Sequence, residues 1–218
     1  MGRLIAFGCS NTFGHGLADC IMPNGHPPRN PSQLGWVATL GKMLQRKVVN
    51  QGIPGGSIKE AVWRFEQTEI AKNDVVVILW PYYHRTCITD YTFEDNTKGN
   101  LMIAPSIPSD LEKGYYKDFF TDEDAFFTNS IFIKYVERTL EKIGAQYYGF
   151  VHDPDEIEEY NKRGANICSL WQGYYHHLGY ELTENLHLDV EGNTAFAEDI
   201  YAYMNTGIFP ERKPVHKT

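Results

Sequence analysis

The apolar residues of this chain change their spacing several times along its length. Short apolar runs at 3–7, 47–50, 74–80 and 145–151 read as strands. Four longer stretches, 33–45, 57–70, 129–143 and 190–203, carry apolar residues at the three- and four-residue spacing of a helix. In the third of them Ile131, Tyr135, Val136, Leu140 and Ile143 share one face. Short strands alternating with such helices predict a parallel sheet covered on both sides. The runs at 3–7 and 74–80 are almost continuously apolar, which places them at the sheet centre, buried on both faces.

The alternation lapses once, over 81–127, between the third strand and the next long helix. A stretch of that length without strong periodicity reads as a functional loop or an added subdomain. It is rich in rings, among them Tyr82, Tyr83, Tyr115, Tyr116, Phe119 and Phe120. Two outcomes follow from that composition: packing of the insertion onto the sheet, or a face for a polar, ring-shaped ligand. The domain is expected to run over 1–210, with 211–218 a frayed basic tail.

Composition narrows the class. At 218 residues, 42% hydrophobic and 14% aromatic, the chain has enough apolar surface for one core without disulfides or metals. A formal net charge of −8 disfavours binding to a phosphate backbone, so no nucleic-acid partner is expected. The longest apolar run is far too short to cross a membrane and no targeting segment is evident, so neither membrane residence nor export is expected. The four cysteines, Cys9, Cys20, Cys87 and Cys168, show no metal-ligand or redox-pair spacing. Reduced thiols and a cytoplasmic location are the expectation, with no cofactor and no metal.

The chemistry is concentrated in the turn that closes the first strand, "FGCSNTFGHG" from Phe7 to Gly16. Ligands of open α/β sheets bind beyond the carboxyl ends of the strands, where this turn lies. Its glycine pattern fits neither phosphate-binding loop, and Ser10 reads better as a nucleophile whose backbone N–H and helix start face a developing oxyanion. The base is His187, just ahead of the last helix, with Glu184 three residues upstream to orient it. Asp189 reads as the cap of that helix.

These blocks, a serine turn after the first strand, "VVNQGIPGGS" at the second, and carboxylate-x-x-His before a C-terminal helix, resemble those of the SGNH/GDSL hydrolase family. The resemblance implies a flavodoxin-like three-layer α/β/α sandwich with a central parallel sheet, to which the 81–127 stretch adds a long insertion after strand three. It also implies Ser10 as nucleophile, His187 as base, Gly52 as an oxyanion donor, and Asn50 as the leading asparagine of the second block.

Three departures accompany the resemblance. Cys9 stands at the family's aspartate before the serine, and is either a small buried hydrophobe or a reactive thiol. Glu184 replaces an aspartate; it orients His187, or it is solvated and His187 works as a dyad or against a backbone carbonyl. The third block, with its asparagine donor, is absent: Trp80, Pro81, Tyr82 and Tyr83 stand at its positions, and either Tyr82, Tyr83, His84 or Arg85 replaces the donor or the protein is a slow or inactive relative; Arg85 is also a candidate to clamp a substrate carboxylate or sulfate. The expectation is a serine esterase or deacylase acting on a small ester such as an O-acetylated carbohydrate. The alternative is a non-catalytic binding or structural module on the same fold.

Overall fold

A computed structural model describes residues 2–20, 30–92, 97–105 and 109–215. In chain order the elements are β1 (Leu4–Gly8), α1 (Ser10–Phe13), α2 (Trp36–Met43), β2 (Val48–Gly52), α3 (Ile58–Glu66) and β3 (Val75–Leu79). There follow β4 (Thr86–Thr92), β5 (Lys98–Ile103), α4 (Asp110–Asp118), α5 (Asp122–Ile143), β6 (Gln146–Phe150), α6 (Pro154–Lys162), α7 (Gly173–His177) and α8 (Val190–Thr206).

β2, β1, β3 and β6 form one parallel sheet in that order. Side chains alternate across it with the period of two that a strand imposes. Ile5, Phe7, Val76 and Ile78 meet Ile58 and Phe65 of α3 and Ile133, Val136 and Leu140 of α5 on one face. Leu4, Ala6, Val77 and Leu79 meet Trp36 and Leu40 of α2 and Phe196 and Ile200 of α8 on the other. The result is the three-layer α/β/α arrangement, each fully buried aliphatic or aromatic side chain contributing about 1.5–3 kcal/mol.

The register decides where the chemistry goes. Gly8 pairs with Gly52 and with Leu79, and Leu79 with Phe150, so the four strands end level. The segments that follow them therefore emerge side by side on one rim.

The helices depart from their expected bounds for local reasons. α5 begins at Asp122 rather than at 129, because the Thr121 side chain accepts from the Asp124 N–H and three acidic residues fill the first turn. Those polar signals extend the helix beyond its apolar stripe. The insertion at 81–127 is not loop: it holds the β4–β5 hairpin and α4, the latter capped by Ser109. α6, unforeseen, starts at a capping Asp153 with Pro154 behind it. The tail is not frayed over its described part. Arg212 donates to Asp199 at 2.7 Å and to Glu198 at 2.8 Å, and Val215 N–H reaches Leu178 O at 2.7 Å; residues 216–218 lie outside the described residues. Among the described residues no helix is long and apolar enough to cross a membrane.

Candidate active site

β1 ends in Gly8 at φ 153°, where a Cβ would stand 2.6 Å from the Leu79 carbonyl oxygen; only glycine lets the chain turn there. Cys9 then caps α1 in extended conformation, and Ser10 opens the helix, which closes at Gly14 in the left-handed region. Ser10 is thereby held in a first turn, where its N–H has no acceptor within the helix.

His187 reaches it from a loop fixed by a Leu182–Leu188 bridge and by reciprocal contacts between Thr183 and His187. The His187 Nε2 lies 2.7 Å from Ser10 Oγ. Burial, then the charges of His15, His152 and Arg85, push the His187 pKa down to about 4, against a smaller opposing effect of the Asn185 carbonyl. The ring is thus neutral near pH 7, and its Nε2 can accept a hydrogen bond from the Ser10 hydroxyl. Its other nitrogen, Nδ1, is buried without a hydrogen-bond partner.

The remaining expected residues fall in three groups. Glu184 is exposed and makes no contact with His187, so the expected orientation by this carboxylate is absent; the short segment turns it to solvent. Gly52 is likewise corrected as a donor. Its N–H is taken by Asn50 Oδ1 at 2.9 Å, while Asn50 Nδ2 donates to Thr12 O at 2.7 Å. Asn50 therefore ties the end of β2 to α1 and does not face a substrate, and Gly52 is glycine because a Cβ would press on the Phe13 nitrogen at 2.6 Å. Asp189 caps α8, accepting from Gly192 N–H at 2.8 Å.

The residues after β3 divide. Tyr83 turns away from Ser10: its ring stacks on Phe126 with centroids 4.2 Å apart and its hydroxyl donates to Asp122. His84 and Arg85 line a cavity of about 200 Å³ beneath the insertion, with the His84 carbonyl held by the Tyr116 hydroxyl at 2.6 Å. Tyr82 instead lies flat on His152, centroids 4.4 Å apart, with the Arg85 guanidinium 4.9 Å from its ring centre. Tyr115, Tyr116 and Phe120 pack on one another, and Tyr83 packs on Phe120 and Phe126.

His152 and Gln172 escaped sequence reasoning. His152 Nε2 stands 3.5 Å from Cys9 Sγ and its Nδ1 2.9 Å from Gln172 Oε1. The available signal was position: His152 directly follows the fourth strand-like run and so had to emerge on the same rim as Ser10.

Neither a protein-family model nor a curated protein matches the sequence. Solved structures do match the fold. An acetyl xylan esterase (Est2A) from the rumen bacterium Butyrivibrio proteoclasticus is 12% identical, with a TM-score of 0.54 over 94% of this chain and 64% of its own. This chain thus spans under two thirds of that protein. A catalytic mutant of Axe2, an acetylxylan esterase from Geobacillus stearothermophilus, is 14% identical at a TM-score of 0.52, covering 97% of this chain and 99% of its own. The psychrotrophic esterase EstA from Pseudoalteromonas sp. is 11% identical at 0.54, covering 95% and 98%. The chain has the α/β/α fold of the SGNH/GDSL esterases.

Proposed function

We propose that the protein is a serine ester hydrolase acting on small acyl esters. The observation that carries this is the 2.7 Å contact between Ser10 Oγ and a neutral His187 Nε2, set at the carboxyl rim of a parallel sheet. Ser10 Oγ attacks the ester carbonyl as its proton passes to His187; the imidazolium returns that proton to the leaving alcohol, and water, activated by the same ring, releases the acyl group. The Ser10 N–H is a donor to the oxyanion. A second would have to be the Gly55 N–H, since in the 53–56 turn Ile53 N–H donates to Gly8 O, Gly56 N–H donates to Ile53 O, and Pro54 has no N–H. A site short of one donor gives up about 2.7–4 kcal/mol of transition-state stabilisation.

Two of the structural neighbours are acetyl xylan esterases, which favours an acetyl group on a carbohydrate as substrate. Arg85 is in no ion pair among the described residues, and its charge bears on His187; it is suited to hold an anionic group of that substrate.

One observation favours the second reading, a binding module without turnover: His187 Nδ1 has no hydrogen-bond acceptor, which leaves an imidazolium only the small effect of the Asn185 carbonyl. A fluorophosphonate probe and p-nitrophenyl acetate, applied to the wild type and to Ser10→Ala and His187→Ala, decide between them. Labelling and turnover lost in both variants support the hydrolase. A folded wild type that neither labels nor turns over supports the module.

A further inference from the structure

Cys9 precedes Ser10 by one residue, is fully buried, and has no part in ester hydrolysis as described above. Its surroundings are nevertheless those of an activated thiol. His152 Nε2 approaches Cys9 Sγ at 3.5 Å, and His152 Nδ1 pairs with Gln172 Oε1 at 2.9 Å. Gln172 Nε2 donates to Asn11 Oδ1 at 3.0 Å, and Asn11 Nδ2 returns to Cys9 Sγ at 4.0 Å. The four side chains close a ring.

The ring has one consistent sense. Asn11 fixes the Gln172 amide so that its oxygen faces His152, and this commits the His152 Nδ1 proton to Gln172. The Nε2 lone pair is left to take the Cys9 proton, giving a thiolate that accepts from both the imidazolium and the Asn11 amide. Nucleophile, base and orienting amide stand here in the relation that activates cysteine nucleophiles generally. The base is further fixed: Tyr82 lies on its face, and its backbone N–H is held by buried Glu156 at 3.4 Å. A cavity of about 210 Å³ is lined by Asn11, Tyr82, His152 and Gln172, the three ring partners of Cys9 and the tyrosine stacked on His152; Cys9 itself lies behind them. It has room for several waters, and so for a small hydroperoxide.

We propose that Cys9 is a second nucleophile of this protein, a modification site that takes small hydroperoxides through that cavity. The thiolate attacks one oxygen of the peroxide; the S–O bond forms and the O–O bond breaks. Sulfur is oxidised by two electrons to sulfenic acid and the peroxide is reduced. The departing hydroxide, or the alkoxide of an alkyl hydroperoxide, takes the His152 Nε2 proton and leaves as water or alcohol. The electrostatics agree: burial pushes the Cys9 thiol up, but the His152 charge and hydrogen bond, the Asn11 N–H and the Arg85 charge bring it down to about 6. The other three thiols are raised, Cys20 and Cys87 by burial and Cys168 by burial to about 11. They are internal controls.

The test uses the whole chain and needs no esterase activity. The protein is treated with hydrogen peroxide, quenched with catalase, and unfolded in guanidinium chloride with N-ethylmaleimide; peptide masses then show which cysteine escaped capping. Exposure alone ranks half-buried Cys168 first, whereas the proposal ranks Cys9 first by roughly tenfold. In His152→Gln that lead disappears and Cys9 falls to the rate of Cys87. Should this variant not fold, the wild type is followed from about pH 8 to 7, where Cys9, facing His152, Arg85 and Tyr82 with Glu156 behind, keeps its rate while Cys168 loses about tenfold. Oxidation of Cys168 ahead of Cys9, an unchanged lead in His152→Gln, or a parallel fall of both rates with pH overturns the proposal.

Discussion

Two histidines approach adjacent residues of one turn and are held in opposite ways. His152 is buried, with both ring nitrogens engaged, its face under Tyr82 and its backbone on Glu156. His187 comes from an exposed loop that includes Leu186 at φ 59°, and only its Nε2 is engaged. The buried ring is supported as a catalytic base is expected to be, yet it serves the residue without access to bulk solvent. The open ring faces the serine at the rim and lacks its support. Support and access have been assigned to different residues, and a search for one triad across this site finds parts of two.

The largest effects that sharpen this contrast lie at the open pair. Under the hydrolase reading, Ser10→Ala and His187→Ala each lower kcat/KM on p-nitrophenyl acetate by about 10³-fold or more, and the double variant loses little further, since the pair acts as a unit. Additive losses would place the two residues in separate roles. Next is the pH profile. With its pKa pushed down to about 4 by burial and neighbouring cations, about nine-tenths of His187 is still neutral at pH 5, against about 3% of an ordinary histidine. The base is active when deprotonated, so kcat/KM holds from neutral pH down to about 5 and falls tenfold per unit below about 4. An acid limb near 6.5 would mean that His187 is far better solvated than its surroundings imply.

The buried ring is probed by stability. Gln172→Ala removes the acceptor of His152 Nδ1 and the donor to Asn11, leaving buried polar groups unpaired, and costs about 1–3 kcal/mol in urea unfolding with an unchanged m-value. A cost near zero would show that water replaces the amide. The Cys9 ring would then not be the rigid member of the comparison.

How much of this was legible beforehand follows from what each feature depends on. The two central strands were carried by nearly unbroken apolar runs such as Val75–Leu79, whose burial needs no tertiary knowledge, and the outer two by shorter runs between helical stretches. That Ser10 and His187 would meet was legible because each stands near an element boundary, and the turn chemistry of Gly8 and the cap at Asp189 fix those boundaries locally. Gly52 misled because a glycine required for backbone approach to Phe13 looks the same in sequence as one required for an N–H donor. The ring of Asn11, Cys9, His152 and Gln172 joins positions up to 161 apart in the chain, and only the level strand ends bring them together. The β4–β5 hairpin was obscured because its outward faces alternate poorly and its register shifts between Ile88 and Tyr91.

The smallest predicted effect bears most directly on whether the open histidine is as unsupported as it stands. Glu184 occupies the sequence position of an orienting acid, but it is exposed and out of contact with His187. Glu184→Gln therefore changes kcat/KM by less than about twofold, where loss of a true orienting carboxylate costs about 10⁴-fold. A fall of 10²-fold or more would require the 182–188 loop to fold inward when substrate binds, bringing the carboxylate to His187 Nδ1. His187 would then gain in the complex the support that His152 has permanently, and the two histidines would differ in timing rather than in kind.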